Sequence, residues 1–490
     1  MAIDIAKSEV ETRDNRLGAV LAFHGKASEL QKDSSKRAVK EDERIYSQCS
    51  DCSQGCAEVL SYMIRDAAIV VHSPLGCLSP VSIYERVEAS SKVRGIEAPK
   101  IQVISTNIGI DSTVYGGVKI LKAAVREAYD RFHPKAILIH SSCAAGIIGD
   151  DIESVVDEAE SELGIPIVPI YCEGFKSKTW TSGFDAVFHG ILRKIVKKPT
   201  KKQEDLVNII NFAGQDAYTA LFKRINLRPN LIVPNSSVDQ LAIMSEAACT
   251  ISICESLGTY GAAALEQNYG VPQLKVSSPY GIEWTDRWFR ELAKLTNRTE
   301  LAEKLIKEEN ERIKPIIEGY RKVLAGKRAY VYSGDSFAHY LTNMVREYGM
   351  EVVGVTTLHH DQTTDNKSPE LDTLNEMIKY TGDVERFSVC NKQPFIMYKI
   401  FKELKPDILI TRHDSIATIG TKLGIPSIRA NDINVLSCYD GSVNLGARII
   451  DALNSNKFFK TISEHVKFPY SSWWINQKDP FYFDKKAETK

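Results

Sequence analysis

The sequence predicts an α/β protein built from three Rossmann-like domains with parallel sheets. Three observations carry this. Short β-branched runs alternate with longer helical stretches, the pattern of βαβ units. The triplets Gly164-Ile-Pro, Gly270-Val-Pro and Gly424-Ile-Pro recur, each ending a helical stretch and opening a strand. Glycine suits the left-handed helix C-cap, and the proline beside it stops the helix. Each unit is preceded by another apolar strand, AILIH, ISIC or DILIT, and Cys143, Cys254 and His413 lie at or just past the carboxyl ends of these strands. Open α/β sheets bind their ligands there.

In chain order, residues 1–44 read as a charged arm, helical or loose (KASELQKDSSKRAVKEDER). The first domain is placed at 45–203, with strands AAIVVH (67–72), IQVIST (101–106), AILIH (136–140) and IPIVPIYC (165–172), and helices over 112–132 and 150–163. The lysine-rich KKPTKKQED leads to a second domain at 204–325, with LVNIINF, NLIVP, ISIC and VPQLKV and a helix over 299–324. AGKR marks the entry to a third domain at 326–470, with RAYVYSG, EVVGV, DILIT and IPSIRA and a helix over 338–349. Residues 471–490 are a tail.

The chain has 490 residues, in keeping with about three domains, and a net charge of −1. That balance offers no electrostatic reason to expect nucleic acid or a membrane surface. With 43% hydrophobic and 26% charged residues, a large core can form. No apolar run approaches a membrane span of about 20 residues. The polar N-terminus MAIDIAKSEVETRD reads as no secretory signal, so the expectation is a cytoplasmic protein. Its ten cysteines are too few for a disulfide scaffold. In a reducing compartment, clustered cysteines point to metal or redox chemistry.

Cys49-x-x-Cys52-x-x-x-Cys56 packs three thiols into eight residues, enough to wrap a soft metal or an iron–sulfur cluster. A zinc site or reduced, idle thiols fit the same spacing. Val70-Val-His-Ser-Pro-Leu-Gly-Cys77 ends a strand in a turn that presents Cys77. In Ile139-His-Ser-Ser-Cys-Ala-Ala-Gly-Ile-Ile-Gly-Asp-Asp151, Cys143 sits in a loop of small residues that leaves room for a bulky ligand. Each cysteine alone is as well explained by packing; together they are laid out like a cluster site.

With these motifs in hand, the chain resembles the component 1 subunits of the nitrogenase family. Gly55-Cys56-Ala57, His72-Ser-Pro-Leu-Gly-Cys77 and Ser142-Cys143-Ala-Ala-Gly-Ile-Ile-Gly-Asp-Asp151 match the family's three cluster cysteines in order. Cys172-Glu-Gly-Phe175, Ser252-Ile-Cys254 before Tyr269-Gly-Val-Pro272, Gly349-Met-Glu-Val-Val-Gly354 and Tyr439-Asp-Gly441 extend the match over roughly residues 45–455. The resemblance implies metal clusters in the clefts. It implies an interface iron–sulfur cluster (P-cluster-like) ligated by Cys56, Cys77 and Cys143, and a large iron–sulfur cofactor held by Cys254, the mark of an α-type (D/E-type) subunit. It further implies a K-type, β-like partner in an α2β2 heterotetramer and an ATP-dependent iron protein as electron donor. Cys49 and Cys52 fall outside the matched pattern, as an extra ligand or as idle thiols.

The resemblance also has gaps. Where nitrogen-fixing members carry a histidine ligand after the Gly-Ile-Pro turn, Asn431 falls nearest, and Cys438 is the one thiol in the shortened loop. An amide is a poor iron ligand beside imidazole. Trp180 and Phe184 stand about where a glutamine and a histidine flank the cofactor, and the lysine that anchors an organic acid is absent from Thr411-Arg-His413-Asp-Ser415. His359, His360 and His413 supply candidate proton donors at strand ends. The lost groups argue against efficient dinitrogen reduction. Among branches of the family, methylthio-alkane reductases, which cleave a C–S bond in a small organic sulfur compound, fit best. A cofactor-assembly scaffold and a nitrogen-fixing α subunit are the alternatives. The chain has no G-x-x-x-x-G-K-[ST] loop, no G-x-G-x-x-G and no G-x-S-x-G, so nucleotide and hydrolase chemistry lack their usual motifs.

Overall fold

A computed structural model describes residues 2–41, 52–78, 84–212, 216–390, 394–430 and 435–476. The chain divides into two compact units. The first comprises Met1–Arg16, Ser50–Leu274 and Leu292–Arg298; the second comprises Leu17–Cys49, Lys275–Glu291 and Thr299–Lys490.

The first unit holds two parallel sheets. One runs in the order Val103–Ser105, Ala67–His72, Ala136–Ser141, Ile167–Tyr171; the other runs Arg228–Ile232, Gln203–Ile210, Ala247–Ser252. Strands Ala67–His72 and Ala136–Ser141 are buried at every position, as expected of parallel strands covered on both faces. The three-domain expectation differs here: two sheets share one unit. The reason is a continuous apolar core in which Val168 and Ile170 of the first sheet join Leu206, Ile210 and Ile232 of the second, with Val187, Phe188 and Ile191 of the helix Ser182–Lys194.

The second unit carries one six-stranded sheet in the order Ala22–Gly25, Phe387–Cys390, Glu351–Thr357, Arg328–Ser333, Ile408–Thr411, Ser427–Arg429. All neighbours are parallel except the first pair, which is antiparallel. The N-terminal arm is therefore not a separate element. Residues 2–16 belong to the first unit, and Ala22–Gly25 closes the edge of the second unit's sheet. An edge strand caps backbone groups that would otherwise be open to another chain.

The Gly-x-Pro reading holds in backbone terms. Gly164, Gly270 and Gly424 all adopt left-handed φ values, between 66° and 77°, and the first two are helix C-caps. The expected helix over 112–132 is two helices, Ile110–Tyr115 and Val118–Phe132, separated at Gly116-Gly117. VPQLKV makes a single bridge, Thr250 to Gln273, instead of a strand. No helix among the described residues is long and apolar enough to cross a membrane.

Candidate metal-cluster site

Three thiols of the first unit gather at the carboxyl end of its four-stranded sheet. Cys77 ends the one-turn helix Leu75–Cys77 that follows strand Ala67–His72. Cys143 opens the helix Cys143–Ile148 directly after the neighbouring strand Ala136–Ser141. A third thiol, that of Cys52, lies beside them. Cys52 is the N-cap of the helix Ser53–Ser61, and its sulfur accepts the Gly55 N–H at 3.3 Å. The loop Cys172–Phe175 passes between the thiols, and Gly174 is what lets it. A Cβ at Gly174 would lie 3.0 Å from Cys52 Cβ, 3.6 Å from Cys143 Sγ and 3.7 Å from Cys52 Sγ. Cys77 completes the set electrostatically: after burial, the thiols of Cys143 and Cys52 are the next largest influences raising its pKa. Burial, followed by Cys143, likewise raises Cys52.

Cys56, the cysteine expected as a ligand, sits one turn further along the same helix and packs against the apolar core. Cys52 lies one turn earlier, at the N-cap, so both thiols stand at the start of this helix. Cys49 lies outside the described residues. Outside the matched pattern in the sequence, Cys52 lies across Gly174 from Cys143.

Tight backbone approaches fix this geometry. A Cβ at Gly183 would lie 1.9 Å from Ser53 O, so the helix Ser182–Lys194 presses directly on the start of the Cys52-capped helix. Ser53 Oγ donates to Cys172 O at 2.9 Å, and Ser141 Oγ donates to Glu173 Oε1 at 2.7 Å. Lys176 pairs with the other Glu173 oxygen at 3.1 Å. These bonds tie the Glu-Gly-Phe loop to both cysteine-bearing segments.

The histidines beside this site are structural. His72 bridges Asp150 (2.8 Å) and Thr106 (3.0 Å), and Asp150 also accepts the Gly117 N–H at 2.7 Å. His140 Nε2 meets Ser61 Oγ at 2.9 Å, and burial holds it down to about 3, so it is neutral. Cys172 and Cys249 are buried thiols whose pKa burial drives up, Cys249 to about 12.

Around the thiols the surface is apolar. Leu75, Ile147 and Phe175 are 61%, 73% and 57% exposed, and each lies within four residues of Cys77, Cys143 or Gly174. Ile110, Val114 and Tyr115 project from the helix Ile110–Tyr115, which packs against the helix Cys143–Ile148. Such patches mark interaction sites.

Cys254 stands apart from that trio. It caps the helix Glu255–Tyr269 just past strand Ala247–Ser252, in extended backbone, and Ser252 Oγ donates to its carbonyl at 2.8 Å. Gly258 lets this helix close on the sheet: a Cβ there would lie 2.6 Å from Ile210 Cγ2. Phe184 belongs to the same core cluster as Cys254, and Trp180 packs against it. Trp180 and Phe184 meet edge-on at 5.8 Å, and Phe184 meets Phe212 at 5.1 Å.

A family model described as nitrogenase component 1 type oxidoreductase matches residues 52–454, starting at Cys52. The chain belongs to the nitrogenase component 1 family. It is 30% identical over 380 residues to the nitrogenase molybdenum-iron protein alpha chain of Methanosarcina barkeri, covering 73% of this chain and 70% of that one. It is 28% identical over 415 residues to the nitrogenase iron-molybdenum cofactor biosynthesis protein NifE of Methanococcus maripaludis, covering 81% and 82%. The fold matches a solved structure, nitrogenase Cp1 at pH 5, with a TM-score of 0.71 at 23% identity over 89% of this chain and 94% of that one. Nitrogenase component 1 relatives thus span both an enzyme subunit and a cofactor-biosynthesis protein.

In the second unit of this component 1 chain, His413 caps the helix Asp414–Lys422 and is half-buried, its ring edge-on to Tyr332 at 5.9 Å. His359 and His360 are enclosed. His360 Nε2 meets Ser34 Oγ at 2.8 Å, and its Nδ1 lies 3.4 Å from Asp335 Oδ1. Burial works against its protonation, but Asp335 outweighs that and raises it. Cys438 is buried at the start of the helix Cys438–Asn454, with φ 59° and its N–H donating to Pro279 O at 2.6 Å. Asn431 lies outside the described residues.

Proposed function

We propose that this chain is the catalytic D-type subunit of a nitrogenase-like two-component reductase. The observation that carries the reading is the convergence of Cys52, Cys77 and Cys143 at a surface ringed by exposed apolar side chains. Three soft, anionic ligands suit an iron–sulfur cluster, and a thiol site opening onto an apolar collar suits a cluster shared with a β-like partner subunit. Cys56, Cys77 and Cys143 are the proposed ligands, with Cys52 as a further thiol beside them. Cys254 is the proposed ligand of the large cofactor. When bound, the two groups would supply electron storage and a site of reduction.

This chain's own residues do the rest. Gly174 lets its loop lie against both the Cys52 and the Cys143 sulfur. Trp180 and Phe184, which share a core cluster with Cys254, are the proposed aromatic wall for a small organic substrate. His413, half-buried at a strand end, is the proposed proton carrier; His359 and His360 are too enclosed to exchange protons with a substrate. The electrons come from an ATP-dependent iron protein.

The proposed reaction is reductive cleavage of a methylthio-alkane: R–S–CH3 takes two electrons and two protons and gives R–H and methanethiol. The test is anaerobic turnover of the chain with its partner, an iron protein and ATP on a methylthio-alcohol. Methanethiol is expected, and its absence sinks the substrate assignment. The likeness to NifE over 81% of this chain favours a second reading, a scaffold that assembles the cofactor and passes it on. Transfer of a cluster to an apo-enzyme, without turnover of its own, would establish that reading instead.

A further inference from the structure

The carboxyl edge of the six-stranded sheet carries a second cluster of ligand-type side chains. Asp335 opens the helix Asp335–Glu347 after strand Arg328–Ser333. His359 and Asp361 follow the neighbouring strand Glu351–Thr357. One imidazole nitrogen and one oxygen from each carboxylate all lie within 4.8 Å of one another. His359 is fully buried and Asp335 is 9% exposed.

The surroundings are polar and unserved. Ser333 Oγ, Ser336 Oγ, Thr357 Oγ1 and His339 Nε2 are buried without a hydrogen-bond partner among the described residues. Ser333 and Thr357 are register partners on adjacent strands. The His339 ring is held by Nδ1 to Thr373 Oγ1 at 2.8 Å and stacks on Phe387. That leaves Nε2 4.0 Å from Asp335 Oδ1, beyond hydrogen-bond range. Buried polar atoms are normally paired, so four orphans beside one carboxylate–imidazole cluster call for a common partner.

We propose that Asp335, His359 and Asp361 bind a hydrated divalent transition-metal ion. The donor set is one imidazole and two carboxylates with no sulfur, which suits zinc, manganese or ferrous iron. Metal–ligand distances of about 2.1 Å need only a small inward rotation of the side chains. Three protein ligands leave positions for water, and metal-bound water would serve Ser333, Ser336, Thr357 and His339. His360, against Asp335 on one side and Ser34 on the other, orients the carboxylate from outside the metal's ligand set.

The test uses the full chain, purified without oxygen, dialysed against zinc and then against metal-free buffer. Wild type is expected to retain one equivalent of zinc more than His359→Gln or Asp361→Asn, and His465→Gln, on an exposed helix, should match wild type. Equal zinc in all four proteins overturns the proposal. X-ray absorption at the zinc edge keeps the test decisive if the variants fail to fold. Nitrogen and oxygen neighbours, with an imidazole signature, are expected in wild type; sulfur neighbours alone overturn the proposal.

Discussion

Arg13 and Asp185 form a two-pronged, fully buried ion pair, with Nε to Oδ2 at 2.7 Å and an Nη to Oδ1 at 2.6 Å. Arg16 reaches the same carboxylate, and the Arg13 N–H donates to Ser182 Oγ at 3.0 Å. The N-terminal segment is thereby bolted to the helix that presses on the Cys52-capped helix. Removing one partner strands a buried charge, which costs about 3–5 kcal/mol. Asp185→Asn is expected to lower unfolding free energy by that order and to expose the N-terminal segment to protease. Unchanged denaturant midpoint and cleavage pattern would contradict this account.

Substituting Cys52 should separate it from Cys56. Cys56→Ser is expected to remove the interface cluster, seen as lost iron and lost redox signals, whereas Cys52→Ser should leave iron content near wild type. The opposite ranking would give the ligand role to Cys52.

Gly174→Ala offers a subtler perturbation. The new methyl group, 3.0 Å from Cys52 Cβ and 3.6 Å from Cys143 Sγ, must push the thiols apart or shift the loop. Cluster affinity should fall on the order of 10-fold, while circular dichroism stays unchanged. Iron retention during chelator challenge measures this; wild-type retention would mean the loop gives way freely.

Cys254→Ala should cost the large cofactor alone. Metal analysis and electron paramagnetic resonance should show the interface cluster intact. Loss of both groups, or of neither, contradicts the division of the two sites.

Glu347 gives a pH-dependent signature. Burial, opposed by the Ile282 and Glu283 N–H groups, raises its carboxyl from 4.5 to about 7. The folded protein therefore holds a proton that the unfolded chain has released. That contribution to stability is full below pH 4.5, declines as pH rises toward 7 and is gone above it, a span of about 3 kcal/mol at most. Glu347→Gln lacks the proton and so lacks the decline. Its stability relative to wild type should rise between pH 5 and pH 7 and then level off. A constant difference across that range, measured by denaturant unfolding, would show that the carboxyl is not titrating there.

The βαβ alternation was legible because parallel strands buried on both faces write themselves as unbroken apolar runs, as AAIVVH and AILIH do. The left-handed turns at Gly164, Gly270 and Gly424 were legible because so few residues tolerate that backbone. The edge strand AFHG was not, since four residues with a glycine and a histidine carry no period, and its strand character comes from the distant partner Phe387–Cys390. The places of Cys77 and Cys143 at strand ends are local and readable. The approach of Cys52 to Cys143 depends on Gly174, more than a hundred residues beyond Cys52, and spacing within a motif cannot see it.

That edge strand also has a consequence in time. Ser28, just past Ala22–Gly25, bonds through both its N–H and its hydroxyl to Asp383, 355 residues later. At roughly 5–20 residues per second of synthesis, the N-terminal strand waits on the order of 20 to 70 s for its partner to leave the ribosome. During that interval a newly made chain offers an unpaired β-edge, which makes this stretch a natural client for chaperones and the first place to look if overproduction yields insoluble protein.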